Sequence, residues 1–154
     1  VKAASDEFGA TAVQGDEIYA AKADIFAPCA LGAIINDDTI PKLKVEIVCG
    51  GANNQLLEPE KHGAALEKRG ISYAPDFVAN AGGVINVYGE VAGWTRERAL
   101  RKADEIYDTI LGVYKIAKDD GLPPTTRRTS SPSVASPPCR HGAHLAAVAG
   151  DRKS

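Results

Sequence analysis

Four short apolar runs, "TAV" (11–13), "DIFAP" (24–28), "KVEIVCG" (44–50) and "GISYAP" (70–75), alternate with polar or helix-patterned segments along the first half of the chain. Runs this short, apolar at successive rather than alternate positions, suit strands buried on both faces, as in a parallel sheet. The helix candidates between them cover 16–23, a short turn entered at Asp37, Asp38 or Thr39, and 58–69 before Gly70. Strand and helix in alternation predict an open α/β sheet.

The second half reads differently. From Thr95 a single long helix is expected, because Ala99, Ala103, Ile106, Ile110, Val113 and Ala117 recur three or four apart and form one apolar stripe. Thr95 suits the N-cap, Lys115 and Lys118 suit the negative end of the helix dipole, and Gly121 followed by Pro123 and Pro124 stops the helix. Beyond it, residues 122–154 hold five of the nine prolines, several serines and no apolar period, which predicts a disordered tail. Net charge divides at the same place, −6 for 1–121 and +4 for 122–154. The expected organisation is therefore an α/β unit over 1–121 and a Pro/Ser-rich basic tail over 122–154.

At 154 residues and 44% hydrophobic content the chain has the size and apolar content of one domain. A net charge of −2 gives no electrostatic reason to expect nucleic acid or an anionic membrane as partner. Cys29, Cys49 and Cys139 are odd in number and lack the paired spacing of a zinc site or a disulfide framework. With no apolar run near the roughly 18 residues of a membrane span, the expected compartment is the reducing cytoplasm. The opening "VKAASDEFGA" has no methionine and reads as the middle of a helix ended by Gly9, the expectation for an interior part of a longer chain.

No phosphate-binding loop is present: neither "CGGANNQ" nor "NAGGVINVYGEVAG" fits G-x-G-x-x-G, and no Walker lysine follows a glycine turn. What remains are turns directly after strands, "APCALG" and "GGANN", at the carboxyl edge where open sheets bind ligands. Cys29 has no histidine nearby in sequence and reads as a packed cysteine rather than a nucleophile. Cys139, His141 and His144 in "CRHGAH" lack a fourth ligand, so no metal centre is expected. Asn54 and Asn80 are better candidates, since a neutral amide donates to a carboxylate and accepts from an ammonium or a ribose hydroxyl. Each also fits an ordinary turn or cap.

Taken together, "DIFAPCALGAIINDDTIPKLK", "GGANNQL", "GISYAPDFVANAGGVINV" and "RERALRKADEIYDTI" resemble the Glu/Leu/Phe/Val amino-acid dehydrogenases, in order and without large gaps from residue 1 to about 124. The resemblance implies the latter part of a Rossmann-type, doubly wound NAD-binding lobe lacking its first βαβ unit, followed by the long helix and the tail. It implies NAD-dependent oxidative deamination of an L-amino acid to its 2-oxo acid and ammonia, with leucine or another branched-chain substrate favoured and phenylalanine or valine as alternatives. A homo-oligomeric parent enzyme is implied as well.

By the same resemblance the backbone of Pro28, Cys29, Ala30 and Leu31 lies along the cofactor. Asn53 and Asn54 stand near the nicotinamide ribose and substrate, Asn80 holds both in register, and Val84 and Val87 wall the substrate side chain. The family's catalytic lysines and aspartate belong to an N-terminal substrate domain, and its Gly-rich turn precedes Val1, so no catalytic residue is expected here and the chain alone is expected to be inactive. A non-catalytic fragment that associates with intact dehydrogenase subunits is the rival expectation.

The family usually continues past this point with a helix resembling Ala-Asp-Arg-Leu-Ala-Glu-Glu-Arg, whereas Thr126 onward reads "TRRTSSPSVASPP". Permitted codons for that stretch, read one base over, give Glu-Ala-Asp-Val-Leu-Ala-Glu-Arg-Arg. A frameshift near Thr125 is the corresponding expectation.

Overall fold

A computed structural model describes residues 2–121; the tail, "CRHGAH" and the frameshift position lie outside the described residues. Helix α1 (Lys2–Phe8) ends at Gly9, whose φ of 66° is the left-handed conformation that terminates helices. The "TAV" run that follows is not the strand expected from its composition: 11–13 is exposed and unpaired. A strand exists only through hydrogen bonds to a neighbour, and apolar composition cannot supply one.

Helix α2 (Glu17–Ala20) is one turn long, shorter than the 16–23 expected. The chain leaves it because Lys22 bridges in parallel to Lys44 and Ala23 N–H donates to Lys44 O at 3.4 Å. Sheet pairing overrides local helix preference here.

The sheet itself is parallel as expected, with three strands in the order β1 (Ile25–Phe26), β2 (Ile47–Val48) and β3 (Ser72–Tyr73). The register aligns Ile25, Ile47 and Ser72 on one face and Phe26, Val48 and Tyr73 on the other. The second row faces the core, where Val48 and Tyr73 join Ile35, Ile40, Leu43, Leu56, Leu66 and Ile71. Helix α3 (Pro59–Lys68), the crossover from β2 to β3, contributes Leu66 and the fully buried His62. The first row is bare, with Ile25 53% and Ile47 37% exposed. Burial on both faces, expected from the continuous apolar runs, is therefore corrected to burial on one.

After β3 come α4 (Asp76–Ala79), α5 (Gly82–Val91) and α6 (Arg96–Asp120). Helix α6 begins and ends where the sequence placed it: Thr95 Oγ1 accepts from Arg98 N–H at 3.3 Å, and Gly121 takes φ 64°. Its stripe runs half-buried from Ala99 to Val113 and becomes buried only at Ala117. Tyr114 Oη donates to Tyr73 O at 2.9 Å, pinning the end of α6 to β3. At the other end Trp94 forms the corner between α5 and α6, edge-on to Tyr88 (5.2 Å between ring centroids), with the Arg98 guanidinium 4.6 Å above its ring. No helix among the described residues is long and apolar enough to cross a membrane.

Candidate functional site

Three connections leave the carboxyl ends of the parallel strands side by side: the loops 27–33 after β1 and 49–55 after β2, and 74–81 after β3, which carries the one-turn helix α4. The first two are held at backbone contact. Ala52 N–H donates to Pro28 O at 2.9 Å, and Ala33 N–H donates to Asn54 O at 2.7 Å. A Cβ on Gly50 would stand 2.2 Å from Pro28 O, and one on Gly32 would stand 2.8 Å from Asn53 O. The glycines in "GGANN" and "ALGA" thus permit close approach of two loops rather than a phosphate cradle.

The approach forces the backbone into sparsely populated conformations. Asn54 has φ 50° and Ala33 has φ 58°, both left-handed. Asparagine tolerates that region, whereas alanine does so only when its surroundings compel it. The strain coincides with the Ala33–Asn54 hydrogen bond between the loops.

Of the residues expected at the site, the structure brings Asn53 and Asn80 into direct contact across 27 positions, with Asn80 Nδ2 donating to Asn53 Oδ1 at 2.5 Å. Pro28 is buried against the 50–52 turn, whereas Cys29, Ala30 and Leu31 are exposed along the edge. The Cys29 thiol accepts from Gly51 N–H at 3.4 Å, so it is neither the packed cysteine expected nor set beside a general base. Asn54 is exposed beside Asn53. Val84 and Val87 stand apart from this cluster on the outer face of α5, 73% and 62% exposed, in one stripe with Tyr88 and Val91. Among the described residues nothing closes a pocket over them.

Two residues without a motif proved central. Gln55 and Asp76 sit where the loops meet, with Asp76 Oδ2 accepting from Gln55 N–H at 3.1 Å and Asp76 Oδ1 from Phe77 N–H at 2.8 Å. The "NNQL" context carries no sign that Gln55 is fully buried.

Beside them opens a cleft of about 770 Å³, lined by Asn54, Leu57, Lys61, Tyr73, Asp76 and Phe77. Burial pushes the Tyr73 phenol above its ordinary range, reinforced by the Asp76 charge, and its hydroxyl has no partner among the described residues. Lys61 Nζ is committed to Asp37 (2.5 Å) and Glu58 (3.3 Å), and its hydrogen bond is the main reason the Asp37 carboxyl is held below the usual carboxylate range.

Asp37, Glu58 and His62 lie close enough to share a cation, yet their chemistry argues against one. His62 Nδ1 accepts from Glu58 N–H at 2.9 Å, so in the neutral ring the proton is on Nε2, which lies 3.4 Å from Asp37 Oδ1 without a hydrogen bond to it. A neutral imidazole ligand needs the opposite tautomer. The cluster instead pins the turn before Ile40 to α3.

Residues 1–128 match the family described as Glutamate/Leucine/Phenylalanine/Valine dehydrogenase. A leucine dehydrogenase from Thermoactinomyces intermedius is 62% identical over 120 residues, which are 78% of this chain and 32% of that protein. A leucine dehydrogenase from Bacillus cereus is 56% identical over 122 residues, 79% of this chain and 33% of that one. The crystal structure of L-tryptophan dehydrogenase from Nostoc punctiforme superposes with a TM-score of 0.77 at 49% identity, covering 80% of this chain and 37% of that one. The chain thus spans about a third of the curated relatives it matches. The parallel sheet, the three loops at its carboxyl edge and the long helix all lie within the matched residues, and on these grounds the chain belongs to the Glutamate/Leucine/Phenylalanine/Valine dehydrogenase family.

Proposed function

We propose that residues 1–121 are the latter part of a doubly wound, Rossmann-type lobe of an NAD-dependent L-amino-acid dehydrogenase, and that 122–154 lie outside that lobe. The observation that carries the reading is the Asn80–Asn53 hydrogen bond, which joins two strand-end loops at the edge where open α/β sheets bind ligands. The groups on that edge suit the nicotinamide riboside half of NAD: exposed backbone at Cys29, Ala30 and Leu31, and the neutral amides of Asn53, Asn54 and Asn80. Neutral donors and acceptors match an uncharged carboxamide and ribose, while no loop here offers the Gly-rich turn that a pyrophosphate needs.

When bound, NAD supplies the hydride acceptor for the substrate Cα. The chain's own residues orient: Asn80 and Asn53 fix each other, Asn54 presents its carboxamide beside them, and Pro28 sets the edge along which the cofactor lies. Val84 and Val87 on α5 offer an aliphatic surface to the substrate side chain. Proton transfer is not assigned to this edge, because Asp76 accepts two backbone N–H groups and Lys61 is ion-paired.

A branched-chain substrate, leucine first, is favoured by the valine pair and by the leucine dehydrogenases among the relatives. One methylene changes discrimination by only about 1–3 kcal/mol, so phenylalanine and valine remain the competing substrates to assay.

Titrating the 154-residue chain with NADH and following cofactor emission tests the reading. Saturable binding, weakened at least about tenfold by Asn80→Ala, is expected, with negligible turnover of L-leucine by the chain alone. Equal affinity in the variant refutes the assignment of the edge.

A second reading, a non-catalytic piece that associates with an intact subunit, is favoured by the bare Ile25–Ile47 row and by β1, which among the described residues pairs on one side only. Co-purification with a full-length relative, without turnover, is its signature.

A further inference from the structure

Gln55 follows Asn53 and Asn54 directly, and its hydrogen bonds tie its own turn to the start of α4 and to Ile35, just past the first loop. Its Nε2 donates twice into its own turn, to Gly50 O at 2.7 Å and Ala52 O at 2.9 Å. Its backbone N–H donates to Asp76 Oδ2 at the start of α4, and its backbone O accepts from Ile35 N–H, 3.0 Å away, just past the first loop. The two carbonyls fix the amide orientation, since a flipped amide would set oxygen against both. The remaining oxygen, Oε1, is buried with no partner among the described residues.

We propose that Gln55 is a positioning residue for the amide cluster. By bridging Gly50 O and Ala52 O it sets the curvature of the 50–54 turn, and through Asp76 it sets the distance between that turn and α4. Those two constraints place Asn53 Oδ1 opposite Asn80 Nδ2 and hold Asn54 in its left-handed conformation with the carboxamide outward. Glutamine is required by chemistry rather than size. Glutamate would face two carbonyl oxygens with a carboxylate, and methionine would fill the space while leaving both carbonyls without a donor. Gln55 itself is buried and touches no ligand-facing surface, so its effect passes through the asparagines.

The functional consequence rests on the cofactor reading above, whereas the positioning does not, and two measurements on the ¹⁵N-labelled 154-residue chain separate them. The first follows the side-chain amide resonances of Asn53 and Asn80; the second is the NADH titration. Gln55→Met is expected to shift and broaden both asparagine resonances and to raise the NADH dissociation constant about tenfold. The backbone amide resonances of Leu66 and Ile71, in the core and away from the amide cluster, are expected to stay in place and report that the fold is intact. Asp76→Asn keeps an acceptor but loses one of the two bonds, so it is expected to give a smaller change of the same kind, and it decides the matter should Gln55→Met not fold. Unchanged asparagine resonances in a folded variant overturn the proposal. If the unsubstituted chain does not bind NADH, the cofactor reading fails and the resonances still decide the positioning role.

Discussion

The strand-end loops and the α5–α6 arm are built on opposite principles. All but one of the buried hydrophobic residues among the described residues lie between Ile35 and Val78, and at the edge of that core the 27–33 and 49–55 loops touch backbone to backbone. From Gly82 onward the described chain buries only Gly89 and Ala117, and α5 and α6 keep Val84, Val87, Tyr107 and Leu111 exposed. The first region is fixed by contacts distant in sequence, the second by helix propensity, caps and a corner. Substitutions should therefore be costly in the first and mild in the second, and position alone should sort them.

Leu66→Ala, in the centre of the core, breaks that comparison most directly. It is expected to cost about 2–5 kcal/mol in denaturant unfolding, whereas Leu111→Ala on α6 should stay within about 0.5 kcal/mol. Equal costs would mean that α6 is as tightly packed as the core. Gly50→Ala adds a Cβ 2.2 Å from Pro28 O, and this overpacking should destabilise by about 1–3 kcal/mol while opening the loop pair. Its counterpart on the arm, Gly112→Ala, meets nothing within 4 Å and should stabilise by about 0.5–1 kcal/mol in the same thermal melts.

Removing the α6 cap with Thr95→Ala is expected to lower stability by about 1 kcal/mol, seen as lost helical circular dichroism before the core melts. Two tyrosines sharpen the comparison further, since Tyr73 in the core and Tyr114 on α6 meet where the regions join, and burial raises both phenols. A folded-state pKa above the unfolded value of about 10 means stability complete below pH 10 and lost as pH rises beyond it. Tyr73→Phe, which also removes an unpartnered hydroxyl, should flatten that alkaline loss in a pH series of unfolding midpoints. An unchanged alkaline limb would show that Tyr73 does not couple folding to pH.

How much was legible in the sequence follows the same division. Helix α6 was readable from its stripe, Thr95 and Gly121, because caps and periodicity act within a few residues. The parallel strands 25–26, 47–48 and 72–73 were readable as apolar runs, and the resemblance of the 53–54 and 80–83 turns to the family singled out two turns that the structure brings into contact. The failures are all long-range. "TAV" has strand composition but no partner, 16–23 loses half its expected helix to a bridge with Lys44, and the Ile25–Ile47 face is bare although its sequence suits burial on both sides. An apolar run reports that a residue can be buried, not whether a second layer is there to bury it.

Gln55 shows the same limit at the site. A glutamine after two asparagines looks like surface chemistry, and its role exists only because Gly50 O, Ala52 O and Asp76 Oδ2 converge on it from the folded chain. The sequence by itself determined the two ends of α6, the parallel character of the strands and the residues available at the carboxyl edge, since local sterics and apolar periodicity carry that information. The tertiary structure alone decided which of those residues touch, with Asn80 meeting Asn53 across 27 positions and Gln55 locked beneath them, because hydrogen bonds between loops depend on strand register, and register is set by the whole core.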